Sequence, residues 1–421
     1  MAPVWRERMA GVLTARYAAL QSSYWGAFCL VINFVSVFLL AHGLTNAQIG
    51  VLMAVASAVA TVVQPIVAGR VDRSRIPLRL WLVMGGIVVV ALAAALLPMG
   101  GGVLVAIAYG LLVALIQVVQ PIVNSVGMAA ISQGFRVNFG VARACGSVSY
   151  ALLSLGAGAL VAATSAKLLL LLLVVTAAVF IAASATFVLR HPDTTAPEGR
   201  PPGSPHGSER ADVEPTADAA SHPEGVAVAR HPEPAALDRR AWGLFLLLLV
   251  GITLGMTSHN LINTFLFQIV GSHGGDAAVL GLAAMIAAMV ELPTMVFFER
   301  LLTRWTPGTL LVVGGIVFAV KNLATYLAPS LTVIYFVQLL QFAGFGLVIP
   351  ATVYYVNRLF PSAQRVRGQA YMTMTFSAGS VFGALIGGVV LDAAGVPTLL
   401  LVGTAVATAG AALVWAGADR R

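Results

Sequence analysis

The chain has 421 residues, of which 59% are hydrophobic and only 10% charged, and its formal net charge is +8. An ordinary soluble domain is about 25% charged, so this balance excludes a water-soluble fold, which has no way to bury so much apolar surface. All but two of the 24 basic residues are arginines, and nearly all fall in short segments between apolar runs. That is a topological pattern rather than a nucleic-acid footprint.

The first apolar run, from about Ser23 to Leu40, follows Arg6, Arg8 and Arg16. The charge order is that of a secretory signal, but the run is long enough to span a bilayer and eleven more follow it, so a retained helix is expected. Taken in order, the twelve runs begin near Ser23, Gln48, Leu80, Val103, Ala144, Lys167, Ala241, Ala277, Gly308, Leu331, Gln369 and Pro397. Between the sixth and seventh lies His191 to Arg240, which holds nine of the twenty prolines and nine of the sixteen acidic residues. It lacks the apolar surface to offset the entropy of ordering, and a disordered linker is expected there.

The fold class is therefore an all-α polytopic membrane protein of about twelve transmembrane helices in two pseudo-symmetric six-helix bundles. The expected units are residues 1–190, a cytoplasmic linker 191–240, and residues 241–421. Lys and Arg accumulate on cytoplasmic loops. Alternate connections on one side carry Arg70, Arg73, Arg75, Arg79, Arg136, Arg190, Arg239, Arg300, Arg304, Arg358, Arg365 and Arg367, whereas the other side shows only Lys167. This places both termini and the linker in the cytoplasm and the protein in the cytoplasmic membrane. The halves also echo each other: Phe135-Arg136-Val137 precedes Ser147-Val148-Ser149-Tyr150, and Gln364-Arg365-Val366 precedes Ser380-Val381-Phe382-Gly383. Repeated halves put a solute site near the bilayer midplane between them.

The two cysteines, Cys29 and Cys145, lie within or beside apolar runs and offer neither a disulfide framework nor a metal-ligand spacing. No metal or cofactor is expected. Seven acids lie outside the linker, and six of them are at helix ends or tails. Glu291 alone is deep, about 12 Å from the Glu299-Arg300 end at 1.5 Å per residue. Lys321, one of two lysines, is similarly deep in the ninth run. A charge at mid-bilayer costs about 2.5 to 3.5 kcal/mol, and such residues are retained for a function with a partner to be named. Each is the expected partner of the other, either as a fixed ion pair between consecutive helices or as a proton-handling couple, since a desolvated carboxyl group takes up protons near neutral pH. Gln117, Gln120 and Asn124 share one face of the fourth run, and Gln338 and Gln341 share one face of the tenth. Amides of this kind donate to and accept from hydroxyls, as a sugar or nucleoside requires, and serve equally for interhelical bonding. His259, Asn33, Asn260 and Asn263 read as packing or hydrogen-bonding residues. Asp72 and Arg73 close the second run as a charged turn, either simply solvated or a latch on one conformation.

These residues resemble the major facilitator superfamily, and within it the oligosaccharide:proton symporters typified by lactose permease. The likeness covers most of the chain except the linker. Gln64-Pro65-Ile66-Val67-Ala68-Gly69-Arg70-Val71-Asp72-Arg73 is similar to the family's segment between helices 2 and 3, with Ala68 at a position usually held by glycine. Phe139 to Tyr150 resembles the helix 5 segment that binds sugar, which implies Arg143 on solute hydroxyls and Tyr150 as the stacking ring. Arg143 also lies near the cytoplasmic end of its helix, where a purely topological arginine is the rival reading. Val290-Glu291-Leu292-Pro293 resembles the helix 8 segment whose glutamate binds sugar and links to the proton site, and Ala319-Val320-Lys321-Asn322 resembles a basic helix 9 position beside the proton-bearing carboxylate. The departures are Asn124 in place of a helix 4 acid, and Gln338, Gln341 and Gly344 in place of a helix 10 lysine, histidine and glutamate. Glu291 is then the one membrane carboxylate left to carry a proton.

The expectation is a secondary transporter that moves a small polar solute of the sugar or nucleoside class by alternating access, with proton coupling and as a monomer. Arg143, Tyr150, Asn124, Glu291 and Gln341 are the expected solute ligands, Glu291 and Lys321 the coupling pair, and Asp72 and Arg73 the latch. Efflux or facilitated exchange without protons is the alternative. A membrane-embedded enzyme is disfavoured, because the carboxylates such an enzyme needs lie mostly in the linker.

Overall fold

A computed structural model of the chain describes residues 4–133, 135, 137–188, 238–361 and 364–418. Helix is what an apolar run must form in hydrocarbon, where no water satisfies backbone N–H and C=O groups. The described residues form about twelve helical spans. Span 1 is Val4–Phe28, continued through a π-helical turn Cys29–Asn33 and Val35–Ala41. Spans 2 to 6 are Asn46–Arg73, Leu78–Leu96, Val103–Ser132, Phe139–Ala163 and Leu168–Thr186. Span 7 is Arg239–Thr264 with Leu266–Gly271, span 8 is Ala277–Val296 with Phe298–Leu302, and span 9 is Pro307–Tyr326. Span 10 breaks into Leu331–Gln338, a 3-10 turn Leu339–Phe342, and Phe345–Leu359. The last helix runs Arg365–Gly417, 53 residues, too long for one crossing of a ~30 Å core. Gly395, at φ 74° and ψ −178°, breaks it into spans 11 and 12. Only glycine takes that backbone conformation without strain.

Side-chain caps start several spans. Thr45 and Gln48 form a reciprocal capping box at span 2, Asn138 caps Val141 N at span 5, and Asp276 caps Ala278 and Val279 at span 8. The expected linker 191–240 falls outside the described residues except at its end, where Asp238 caps Ala241 N and Arg239 opens span 7. Large side chains such as Val103, Leu104, Leu152, Val175 and Phe336 are exposed, as lipid-facing residues are.

The halves meet most closely at the end where span 2 begins, called here the Asn46 end; the opposite is the Arg73 end. Two crossings do this, and both are built on small residues four apart, the spacing that lets membrane helices approach to backbone contact. In span 2 against span 11, a Cβ on Gly50 would sit 2.3 Å from Ala384 O and one on Gly388 would sit 2.4 Å from Asn46 O. In span 5 against span 8, a Cβ on Gly158 would meet Ala277 O at 2.5 Å and one on Gly281 would meet Ser154 O at 2.3 Å. The same geometry thus occurs twice, once per pair of repeated helices. Hydrogen bonds between the halves gather towards this end as well: Ser36 Oγ donates to Thr264 O at 2.8 Å, Gln268 Nε2 donates to Asn46 Oδ1 at 2.7 Å, and Asp392 accepts from Asn46 and Ala47. The buried apolar core follows suit. One cluster joins the first half to Leu261–Val270, Ala277–Ala283 and Leu399 of the second, whereas Phe245, Leu248, Leu310, Leu347 and Val356 form a separate cluster. The halves are sealed at the Asn46 end.

Candidate functional site

On the Arg73 side of this seal, two polar groups face each other across spans 5 and 8. The first belongs to the N-terminal half. Arg143, one turn into span 5, lays its guanidinium over the Trp25 ring at 4.0 Å and donates to Ser147 Oγ at 2.9 Å. Trp25 Nε1 in turn donates to Gln21 Oε1 at 3.1 Å, and Gln21 Nε2 donates to Asn124 Oδ1 at 3.2 Å and to the Tyr17 hydroxyl at 2.7 Å. Gly146 makes room for the ring, since a Cβ there would fall 2.6 Å from Trp25 Cδ1. Span 1 and span 4 therefore both reach the arginine through one indole and one amide.

The second group belongs to the C-terminal half. Lys321 Nζ donates to Gln341 Oε1 at 2.6 Å, and Gln341 Nε2 donates to Glu291 Oε1 at 2.8 Å. The amide polarity is the one both charges require, with its oxygen to the ammonium and its nitrogen to the carboxylate. Lys321 and Gln341 are buried, while Glu291 is half-buried. Gln341 reaches both because it sits in the 3-10 turn that breaks span 10. The direct Glu291 to Lys321 pair expected from the sequence is thus corrected: the pair is joined through Gln341, because the turn brings that amide between spans 8 and 9.

Glu291 also interacts electrostatically with Arg143 and with Tyr150 of span 5. From Gly281 to Glu291 is ten residues, about 15 Å along the helix, which puts the acid well below the seal. The close contacts described for Arg143 are the indole face and Ser147 Oγ, with no acid among them. Neither acid nor amine of the coupling pair faces lipid alone, and all five expected solute ligands fall in or beside the two groups.

The remaining expected residues are placed as follows. Tyr150 is half-buried on the Glu291 side, while the ring that stacks on Arg143 is Trp25. Asp72 and Arg73 are exposed at the end of span 2 and make no hydrogen bond to the second half among the described residues. His259 stacks on Phe345 at 4.7 Å between centroids and bonds to Asn263, and Asn322 donates to Ser258 Oγ at 2.7 Å; both act within the second half. Gln117 Nε2 donates to Ser57 Oγ at 3.4 Å. Sequence reasoning did not single out Trp25 and Gln21. The available signal was their spacing of four in the first run, which puts an indole and an amide on one helix face.

Comparison with known proteins decides the family, because the model of the MFS_1 like family matches residues 16–401. The chain belongs to the MFS_1 like family. It is a membrane transporter of the major facilitator type. A maltose permease of Geobacillus stearothermophilus is 26% identical over 372 residues, 87% of this chain and 84% of that protein. Among solved structures, a point mutant of the nucleoside transporter NupG aligns with a TM-score of 0.73 at 12% identity, covering 96% of this chain and 98% of that one. A point mutant of the peptide transporter POT aligns at 0.66 and 13% identity, covering 96% and 93%. Likeness at such identities shows the fold, which is the transporter fold in both cases. Among the described residues no group of three or more His, Cys, Asp or Glu side chains is placed to hold a metal ion.

Proposed function

We propose that this transporter moves a small polar solute of the sugar or nucleoside class across the cytoplasmic membrane by alternating access, coupled to protons. The observation that carries the reading is the Lys321–Gln341–Glu291 chain opposite Arg143. A buried amine is wired through an amide to a half-buried acid. A fixed structural pair would close on itself, whereas this acid also interacts electrostatically with Arg143 of the other half.

In this reading Arg143, Tyr150 and Asn124 receive the solute from one half and Glu291 and Gln341 from the other. Glu291 carries the proton, and Lys321 sets its readiness to do so through the Gln341 amide. With both termini cytoplasmic, the sealed Asn46 end is the extracellular one. The relative with a sugar in its name, the maltose permease, supports the sugar class, and the NupG likeness supports a nucleoside as the second candidate.

The test is transport in proteoliposomes carrying an imposed pH gradient, with a panel of sugars and nucleosides. Wild-type protein is expected to accumulate a member of the panel only under an inward proton gradient, and Glu291→Gln is expected to abolish accumulation while retaining exchange. Undiminished pH-driven accumulation by Glu291→Gln overturns the coupling role. Accumulation with the opposite gradient identifies efflux.

A further inference from the structure

The interior of the bundle does not balance its own charge. Among the described residues, the charged side chains of the two polar groups are Arg143, Lys321 and Glu291, two cations against one anion. His259 stacks on Phe345 and hydrogen-bonds to Asn263, outside both hydrogen-bonded groups. The imbalance is also localised. Lys321 and Glu291 are tied to each other through Gln341 at 2.6 and 2.8 Å, so the C-terminal group is neutral as a unit. Glu291 therefore answers two cations, and of the two Arg143 has no hydrogen-bonded link to it among the described residues.

Its immediate surroundings agree with this on geometry alone. Its face is covered by Trp25 at 4.0 Å and one of its five N–H groups is used by Ser147. The hydrogen-bonded group around it consists of Gln21, Asn124, Ser147 and Tyr17, all uncharged. Asn124, joined to this group through Gln21, brings no charge to it. A guanidinium held flat on an indole presents its edge, and that edge is a fork matched to two oxygens of a carboxylate or phosphate. Arg143 is half-buried, and Ser147 is the hydrogen-bond partner described for it.

We propose that the transported solute bears an anionic group, a carboxylate or a phosphate, which docks on the edge of Arg143 while its hydroxyl-bearing part lies towards Tyr150 and Glu291. The inference rests on the proposed central site and adds the charge of its occupant. Glu291 enforces the orientation, because the same anion turned towards span 8 meets a like charge.

The test uses binding to purified full-length protein, read by thermal stabilisation and by tryptophan fluorescence, with matched pairs of probes. Methyl glucoside is set against glucuronate and against glucose 6-phosphate, and uridine against uridine monophosphate. The acidic member of at least one pair is expected to bind about tenfold or more tightly than its neutral partner. The two glucose acids separate carboxylate from phosphate. Arg143→Gln is expected to bring the pair within about threefold, and Arg143→Lys to restore part of the gap, since a lysine supplies the charge without the fork. Asn124→Asp, which places a carboxylate in the same hydrogen-bonded group, is expected to reverse the preference towards the neutral partner. Size-exclusion profiles identify any variant that fails to fold, and the wild-type preference stands independently of the variants. Neutral partners binding as well as acids, or an acid preference that survives Arg143→Gln, overturns the inference and leaves the sugar or nucleoside reading intact. Absence of binding by every member of the panel overturns both.

Discussion

Gly158 and Gly281 touch backbone to backbone: a Cβ on Gly281 would lie 3.1 Å from the Cα of Gly158, and one on Gly158 would lie 3.0 Å from the Cα of Gly281. No side chain intervenes, so any side chain at either position has to push spans 5 and 8 apart. Overpacking of this kind costs about 1 to 3 kcal/mol, which bears on the sealed conformation and not on the opposite one. Gly281→Val is therefore expected to shift the population away from the sealed state by about 5- to 150-fold. Spin labels placed across the Asn46 end, read by distance measurement, should show the longer separation dominating. Unchanged distances would mean that the crossing opens little during transport.

Gln341→Leu removes the link between Lys321 and Glu291 without a large change of volume. The ammonium then loses the hydrogen bond it makes in its buried site, and a hydrogen bond to a charged group is worth about 1.5 to 3 kcal/mol. A stability loss of that size is expected in thermal melting in detergent, together with loss of pH-driven accumulation. Gln341→Glu is expected to recover stability by pairing directly with Lys321, while leaving Glu291 without its donor.

Trp25→Leu takes away the surface on which Arg143 lies. A cation over an indole contributes about 0.5 to 2 kcal/mol, so solute affinity is expected to fall by roughly 2- to 30-fold, with Trp25→Phe intermediate. Titration of binding by calorimetry checks this. An unchanged affinity would show that Ser147 alone positions the guanidinium.

Gln338 is fully buried in span 10 with neither amide atom hydrogen-bonded. An unsatisfied buried polar group costs about 1 to 3 kcal/mol, and Met has nearly the same shape without that penalty. Gln338→Met is expected to raise the unfolding free energy by about that amount in a denaturation series. A loss of stability instead would show that the amide holds a water or a solute group.

Much of this architecture was legible in the residues, and the reason is the bilayer. Glu291 and Lys321 stand out because each is the one charged residue within a long, largely apolar run, and the break before the twelfth run was readable from Gly395 and Pro397. The linkage between the two charges was not legible. It depends on Gln341 entering a 3-10 turn in the middle of span 10, and nothing in Leu339-Leu340-Gln341-Phe342 announces a change of helical pitch. Trp25 was hidden for a different reason: it lies among Tyr24 and Phe28 in a run where aromatics read as packing. Its role appears only once span 5 is laid across span 1, with Gly146 vacating the space for the ring. The resemblance pointed to Arg143 but not to the indole beneath its guanidinium, which comes from another helix altogether.

The contact between Asp392 and the start of span 2 has its own thermodynamic consequence. The carboxylate takes the backbone N–H of Asn46 at 3.1 Å and of Ala47 at 2.7 Å, and the Asn46 side-chain amide at 2.8 Å. These are donors that a helix leaves vacant at its first turn, and an anion there is favoured by the helix dipole by about 0.3 to 1 kcal/mol when exposed. Because the site is at the water boundary, parting the halves hands each of those groups to solvent rather than stranding it. The clasp therefore selects how the two halves register on closing while adding little to the work of separating them, which is the property a gate cycled by thermal motion requires.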